Sequence, residues 1–356
     1  MSEMFLRSED AGMIAESARR WIESEYRADD SGHSVDNWAA MAELGWHAIA
    51  LPEDLGGLGL PAGATLALAE ECGRGLVTEP VVEAALVAAT LAGTVLDTAA
   101  LDGLAEGLVT GSRIAMVLGL GAPFEPGADG TLTGVARHVP GGAQVTDYLV
   151  LARQAGGELA LFALEGQVER RVYRSVDGRA LADIILTATP ATRIADGEGL
   201  RTTAARTQSL RRAALAAETV GAMERAIEVT SGYLQERTQF GQPLARFQAL
   251  RHRMADMHAD AELARTMAAM LVAPDGTPAE AGLADRALAQ ITTAARTIGE
   301  RAIQLHGGMG MTQEMAIGGY FKRLLYLSIA LGGETAPRSR IASALVAEPE
   351  YERKSS

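Results

Sequence analysis

Two short segments decide how this chain reads: Glu236-Arg237-Thr238-Gln239-Phe240-Gly241 and Gln304-Leu305-His306-Gly307-Gly308-Met309-Gly310. Each sets polar side chains beside glycine, which lets the backbone turn sharply and approach a ligand closely. Together they look built to hold a large anionic cofactor. Both lie within a helical landscape. Ala216, Val220, Met223, Ile227 and Leu234 recur at nearly helical intervals before the first segment, and Phe247, Leu250, Met254, Met257 and Ala261 follow it. Ala284, Leu288, Ile291, Ala295, Ile298, Ala302 and Leu305 lead into the second. Helices of roughly 25 residues are about 37 Å long. Such lengths predict a C-terminal four-helix bundle over residues 203–356, with a last pair of helices at Gly319 to Leu331 and Pro337 to Ala347. The Met and aromatic positions on these stripes are core.

Upstream, the texture alternates. Residues 109–202 carry short apolar runs, Ile114 to Leu118, Val145 to Leu151, Glu158 to Leu164 and Leu181 to Ala188, separated by Gly, Pro and Asp turns. They predict a β-barrel-like middle domain. No GxGxxG stands between a strand and a helix, so a doubly wound dinucleotide site lacks its main support. Residues 1–108 are expected to form an N-terminal helical domain. Ile14, Ala18, Trp21 and Ile22 share one face of a helix from Ala11 to Tyr26, and Trp38, Met41 and Leu44 do the same over Val35 to Leu44. Leu51 to Pro61, rich in Gly and Pro, is a tight loop. Ala/Leu-rich helices are expected over Ala62 to Glu71 and Pro80 to Glu106. The fold class is therefore α+β.

Composition narrows the function. The 356 residues carry a formal charge of −13 with no compact Lys/Arg block, which disfavours a nucleic-acid partner. No apolar run reaches transmembrane length and no basic-apolar leader opens the chain, so a cytoplasmic protein without a membrane span is expected. The single cysteine, Cys72, has no partner for an internal disulfide, and the six histidines never fall into a zinc-ligand spacing, so no metal is expected.

Three blocks in order carry a family resemblance. They are Leu44-Gly45-Trp46 followed by Leu51-Pro52-Glu53-Asp54-Leu55-Gly56-Gly57-Leu58-Gly59-Leu60, then Arg237-Thr238-Gln239-Phe240-Gly241-Gln242-Pro243-Leu244 with Phe247-Gln248, and last Gln304 to Gly310. With the helical, β, helical order, they resemble the acyl-CoA dehydrogenase family across nearly the whole chain. The resemblance implies FAD-dependent α,β-dehydrogenation of an acyl-CoA thioester. In that chemistry a carboxylate takes the Cα proton, hydride passes from Cβ to the flavin, and electrons leave through an electron-transfer flavoprotein. By residue match, Arg237 would contact the FAD pyrophosphate, Phe240 would pack by the adenine side, and Gln304, Gly307 and Gly308 would complete that cofactor surface, which in the family reaches across a subunit interface.

The match fails where the base is expected. Family members place a catalytic Glu at one of two positions, and here these fall on Arg211, a permanent cation, and on Leu331 or Gly333, with Glu334 one residue late. One residue on a helix turns a side chain by about 100°. The family's Ala-x-Thr-Glu-Pro and Gly-Ser-Asp segments are likewise replaced, the first by Ile114 to Ala122. These departures, with Met309 to Thr312 and Tyr320 to Leu324, resemble the small, non-catalytic subunit of a heteromeric member. A related larger subunit would then supply the catalytic Glu, in an α2β2 assembly that shares FAD across the interface. Two alternatives stand beside it: a self-sufficient homomer using Glu334 or another carboxylate as its base, and an assembly subunit without FAD contact. The acyl group, fatty or steroid side chain, is left open.

Overall fold

The computed structural model describes residues 9–30, 32–92, 103–127, 129–273, 277–312 and 314–347. The first apolar stripes become α1 (Glu9–Ser24), α2 (Val35–Glu43) and α3 (Ala62–Arg74). The Ser34 hydroxyl starts α2 by accepting the Asn37 backbone N–H at 3.2 Å. Between α2 and α3 the Gly/Pro loop folds back on itself, with the Leu58 N–H donating to the Ala48 carbonyl and that of Gly59 to the Leu51 carbonyl.

The Ala/Leu-rich stretch from Pro80 to Glu106 is helical in separate pieces among the described residues. Val81–Ala88 is a π-helix, α4 (Ala89–Ala92) continues it, and α5 (Leu104–Val109) begins anew after Gly103, whose φ is +68°. Residues 93–102 of that expected helix lie outside the described residues.

Eight strands follow: β1 (Ala115–Leu118), β2 (Glu125–Pro126), β3 (Leu132–Pro140), β4 (Asp147–Arg153), β5 (Leu159–Leu164), β6 (Glu169–Arg174), β7 (Ala180–Thr189) and β8 (Ala191–Asp196). They form two four-stranded sheets, ordered β1-β4-β5-β8 and β2-β3-β7-β6, and no closed barrel among the described residues. Among the strand pairs of the described residues, β1–β4 is the parallel one, with an isolated parallel bridge between Phe124 and Ala152 beside it. The first sheet buries Ala115, Leu149, Leu151 and Leu161 against Leu104 and Leu108 of α5 and against Leu200 and Ala204 of the following helix.

That helix, α6 (Glu198–Glu236), runs 39 residues, about 58 Å at 1.5 Å per residue. It begins 18 residues before Ala216, where the apolar stripe becomes legible. A two-residue hairpin, β9 (Thr238–Gln239) and β10 (Gln242–Pro243), joins it to α7 (Gln248–Ala269). Helices α8 (Ala281–His306), α9 (Ile317–Ala330) and α10 (Thr335–Ala347) complete the C-terminal layer. The bundle is α6 to α9, with α10 laid along α8.

Helices α3 and α6 pack with almost no gap. A Cβ added at Gly73 would overlap the Glu218 carbonyl, and one at Gly221 would overlap the carbonyl of Glu70. This approach buries acids, and each is paired. Arg265 of α7 makes a two-pronged contact with Glu70 at 2.9 and 3.0 Å and also pairs with Glu224, while Arg19 of α1 holds Glu71 at 2.5 and 3.0 Å. Glu218 is fully buried and pairs with Arg179, from the β6–β7 turn, and with Arg323 of α9 at 3.0 Å. Arg323 also reaches Asp177 at 2.7 Å. The two arginines donate to the Val77 and Leu76 carbonyls, each at 3.2 Å.

Removing one partner from such a buried cluster leaves an unpaired charge. Glu218→Gln should lower unfolding stability by about 3–5 kcal/mol in urea titration, against under about 1 kcal/mol for Arg20→Ala in the exposed Arg20–Glu16 pair. Burial alone would raise the Asp177 carboxyl, but Arg323 and Arg179 outweigh it and hold it below its ordinary range. A depressed folded-state pKa stabilises above the unfolded value of about 3.9 and is lost as pH falls through the folded one. Asp177→Asn should therefore be less stable than wild type near neutrality, and the difference should shrink in acid.

Candidate functional site

The first polar glycine segment caps α6. The Arg237 backbone N–H closes the last turn on the Tyr233 carbonyl at 2.9 Å, and its own carbonyl accepts the Leu244 N–H at 2.9 Å beneath the β9–β10 hairpin. Residues 239 and 242 pair directly, so Phe240-Gly241 is a two-residue turn with φ of +53° and +79°. Positive φ at both positions gives the right twist for a tight hairpin, and an aromatic residue is strained there. Phe240 is 88% exposed and meets the edge of Phe247, with ring centroids 6.1 Å apart. The guanidinium of Arg237 has no partner among the described residues.

The second segment ends α8. Gly307 turns out of the helix at φ +60°, and Gly307–Met311 forms a 3-10 turn. The two segments are tied at their bases. The Tyr233 ring stacks on His306 with centroids 4.4 Å apart and planes 22° from parallel, while its hydroxyl donates to the His306 carbonyl at 3.3 Å. Burial holds the His306 imidazole below its ordinary pKa, which suits a neutral stacked ring. Around this joint Arg237, Phe240, Gln304, Gly307 and Gly308 are all exposed. Nothing lies within 4 Å of a Cβ placed on Gly307 or Gly308, so their backbone stays open to a ligand. A partnerless cation, an exposed ring and bare glycine backbone fit a cofactor with phosphates and an aromatic end.

The expected base position lies elsewhere. Arg211, a third of the way along α6, lines a cavity of about 290 Å³ with the π-helix, the loop Leu118 to Ala122 and β3. Its guanidinium is gripped by Glu83 of the π-helix, Nε to Oε2 at 2.5 Å and Nη2 to Oε1 at 2.8 Å. A carboxylate therefore stands in this cavity, but both its oxygens are committed to Arg211. Burial alone would lower the Arg211 pKa, and Glu83 more than offsets it. Nothing local in the sequence marks Glu83. Its only signal is indirect, because an arginine replacing an acid inside a cavity demands a counter-charge.

Glu334 lines a different cavity, of about 490 Å³, enclosed by α8, α9 and the start of α10. It sits between Arg296 at 3.7 Å and Arg338 at 3.6 Å. The linings of the two cavities share no residue. Leu331 is buried, and Gly333 lines the Glu334 cavity. Among the described residues no cluster of His, Cys, Asp and Glu is arranged to hold a metal, and no helix is long and apolar enough to cross a membrane.

Residues 8–100 match the acyl-CoA dehydrogenase N-terminal domain and residues 197–346 its C-terminal domain. Over 332 residues the chain is 32% identical to the acyl-CoA dehydrogenase IpdE2 of Mycobacterium tuberculosis, covering 89% of each. The chain belongs to the acyl-CoA dehydrogenase family. A variant of the Tcur3481-Tcur3483 steroid ACAD superposes with a TM-score of 0.81 at 28% identity, covering 95% of this chain and 98% of that one. The ChsE4-ChsE5 complex of Mycobacterium tuberculosis shares the fold, with a TM-score of 0.78 at 22% identity over 96% and 98% of the two chains.

The Glu83–Arg211 pair should behave as one unit. Arg211→Met strands the Glu83 carboxylate and should cost about 2–4 kcal/mol, near the lower end for buried pairs because Arg211 is 26% exposed. Adding Glu83→Leu should recover most of that loss, as a double-mutant cycle of unfolding free energies will show.

Proposed function

We propose that this chain is the non-catalytic subunit of a heteromeric, FAD-dependent acyl-CoA dehydrogenase. The observation that carries this is the contrast between two surfaces. At the end of the bundle, Arg237, Phe240, Gln304, Gly307 and Gly308 face outward with free donors. Inside, the base position is filled by an arginine locked to Glu83. A related, larger chain provides the carboxylate that removes the Cα proton of an acyl-CoA in the fatty or steroid side-chain class. FAD held across the interface in an α2β2 assembly would supply the hydride acceptor for Cβ, with an electron-transfer flavoprotein as the onward electron acceptor of the complex.

Within that assembly this chain's task is binding and orientation. Arg237 supplies a planar multi-donor cation to a phosphate, Phe240 offers a rigid apolar face, and the Gly307-Gly308 backbone presents N–H groups without side-chain obstruction. The Tyr233–His306 stack keeps the two segments in register. Pairing with a chain that resembles this one accords with the two-chain complexes among the structural relatives.

The chain should be purified alone and with its co-expressed larger partner, with flavin content and acyl-CoA oxidation measured for each. Turnover should require the complex. In it, Arg237→Ala should weaken FAD retention by about 10- to 100-fold, the loss of a charge-assisted phosphate contact, whereas Glu334→Gln should leave turnover near wild type. A chain that alone retains one FAD and oxidises acyl-CoA overturns the proposal, as does flavin occupancy indifferent to Arg237→Ala.

A further inference from the structure

The N-terminal helices meet the entry to the first sheet through a buried aromatic stack that neither the cofactor surface nor the Arg211 cavity uses. Trp38 of α2 packs against two imidazoles. His47, from the 3-10 turn Trp46–Ala48, lies with its ring centroid 4.0 Å from that of Trp38 and its plane tilted by 32°, and His33, just before α2, lies at 5.7 Å. The Trp38 Nε1–H donates to the Gly111 carbonyl at 3.0 Å, in the turn that leads into β1. Gly111 backs onto His47 so closely that a Cβ there would sit 3.2 Å from Cε1 and 3.3 Å from Nδ1. Helix α2, the 3-10 turn and the entry to β1 thus close on one imidazole.

His47 is 1% exposed, and neither of its ring nitrogens has a hydrogen-bond partner among the described residues. A neutral imidazole carries one N–H, whereas an imidazolium carries two and seeks two acceptors. An indole face attracts a cation by at most about 30-fold, and taking the ion out of water without acceptors costs more than that. Burial accordingly drives the His47 pKa down to about 4; the nearby Leu108 backbone offsets this only in part, and His33, the titratable group that acts on the ring, lowers it further. Behind His33, Glu79 and Asp29 favour its charged form and oppose the burial that lowers its own pKa. The titration therefore centres on His47.

We propose that this stack is an acid-released latch: protonation of His47 parts its ring from Trp38 and the Gly111 turn and frees α2 from the entry to β1 while the bundle stays folded. The closed latch excludes the proton. It is fully stable above the free-imidazole pKa of about 6.5 and weakens as pH falls from there toward the closed-state value of about 4. Between about pH 7.5 and about pH 5.5 the opening equilibrium rises about tenfold. The latch is separate from Arg237, Phe240 and the glycine backbone, so it stands or falls independently of FAD binding.

Amide hydrogen exchange of the full chain tests this, read by peptide mass spectrometry at about pH 7.5 and about pH 5.5 and corrected for the intrinsic pH dependence of exchange. Peptides covering α2 and Trp46 to Ala48 should open about tenfold more at the lower pH, whereas peptides from Ala287 to Ile298 of α8 should change by less than about twofold. His47→Phe keeps an aromatic ring against Trp38 and removes the titration, so the rise at α2 should shrink to within about twofold, and a thermal melt establishes that the variant is folded. The wild-type ring gives a reading that needs no variant: its NMR signals should stay those of a neutral imidazole down to about pH 5.5. Equal exchange at α2 at the two pH values, a rise shared equally by α8, an undiminished rise in folded His47→Phe, or a His47 ring that titrates near an ordinary pKa of about 6.5 overturns the proposal.

Discussion

The Glu218 carboxylate is the point on which the three parts of this molecule meet. It sits on α6 with no solvent contact, and its partners come from elsewhere: Arg179 from the β6–β7 turn and Arg323 from α9. The same arginines reach the Leu76 and Val77 carbonyls just beyond α3, so one acid ties sheet, bundle and N-terminal helices together. Two arginines face two acids, Glu218 and Asp177, and the cluster is neutral. Neutrality matters because an isolated ion in this interior would cost several kcal/mol. Such a cluster specifies geometry more than it adds stability. An apolar contact would tolerate sliding between the layers, whereas these hydrogen bonds form in one arrangement only.

That arrangement gives α6 its role. Its N-terminal turns pack on the first sheet through Leu200 and Ala204, Arg211 a third of the way along lines the cavity, and its end carries Arg237 to the surface. Reciprocal glycine contacts at Gly73 and Gly221 seat α3 against its middle section. The helix is a ruler between an inner cavity and an outer face roughly 26 residues apart, about 39 Å along its axis.

How much of this was legible in the sequence follows from how local each determinant is. The bundle helices declare themselves through repeating apolar positions such as Ile291, Ala295, Ile298 and Ala302, all buried on one face of α8. Strands β4, β5 and β7 are likewise visible as apolar runs. Strand β6 is not, because Glu169 to Arg174 lies at a sheet edge where charged residues are ordinary and apolar alternation is absent. Strand β3 is masked by Gly134 and by its bulge. In the site, the glycine motifs point to Arg237 and Gly307, but the strained turn that exposes Phe240 depends on hairpin register. Glu83 is 128 residues from Arg211, and a counter-charge so distant has no signature in either local segment.

The Arg–Glu pair also explains why the missing base is more than one substitution. A carboxylate near the expected place is not by itself a base. Glu83 accepts from two guanidinium nitrogens at 2.5 and 2.8 Å, and taking up a proton would mean surrendering both bonds while leaving Arg211 uncompensated. Conversely, an acid at position 211 opposite an unchanged Glu83 would set two like charges in one cavity, where only one ionises readily. Positions 83 and 211 are therefore coupled, and the cavity is stable in its present charge state. The outer surface around Arg237 carries no such coupling: its guanidinium has no partner among the described residues and its glycines meet open space. At these two places the chain pairs its interior charge and leaves Arg237 exposed at the periphery, the arrangement that the proposed shared site requires.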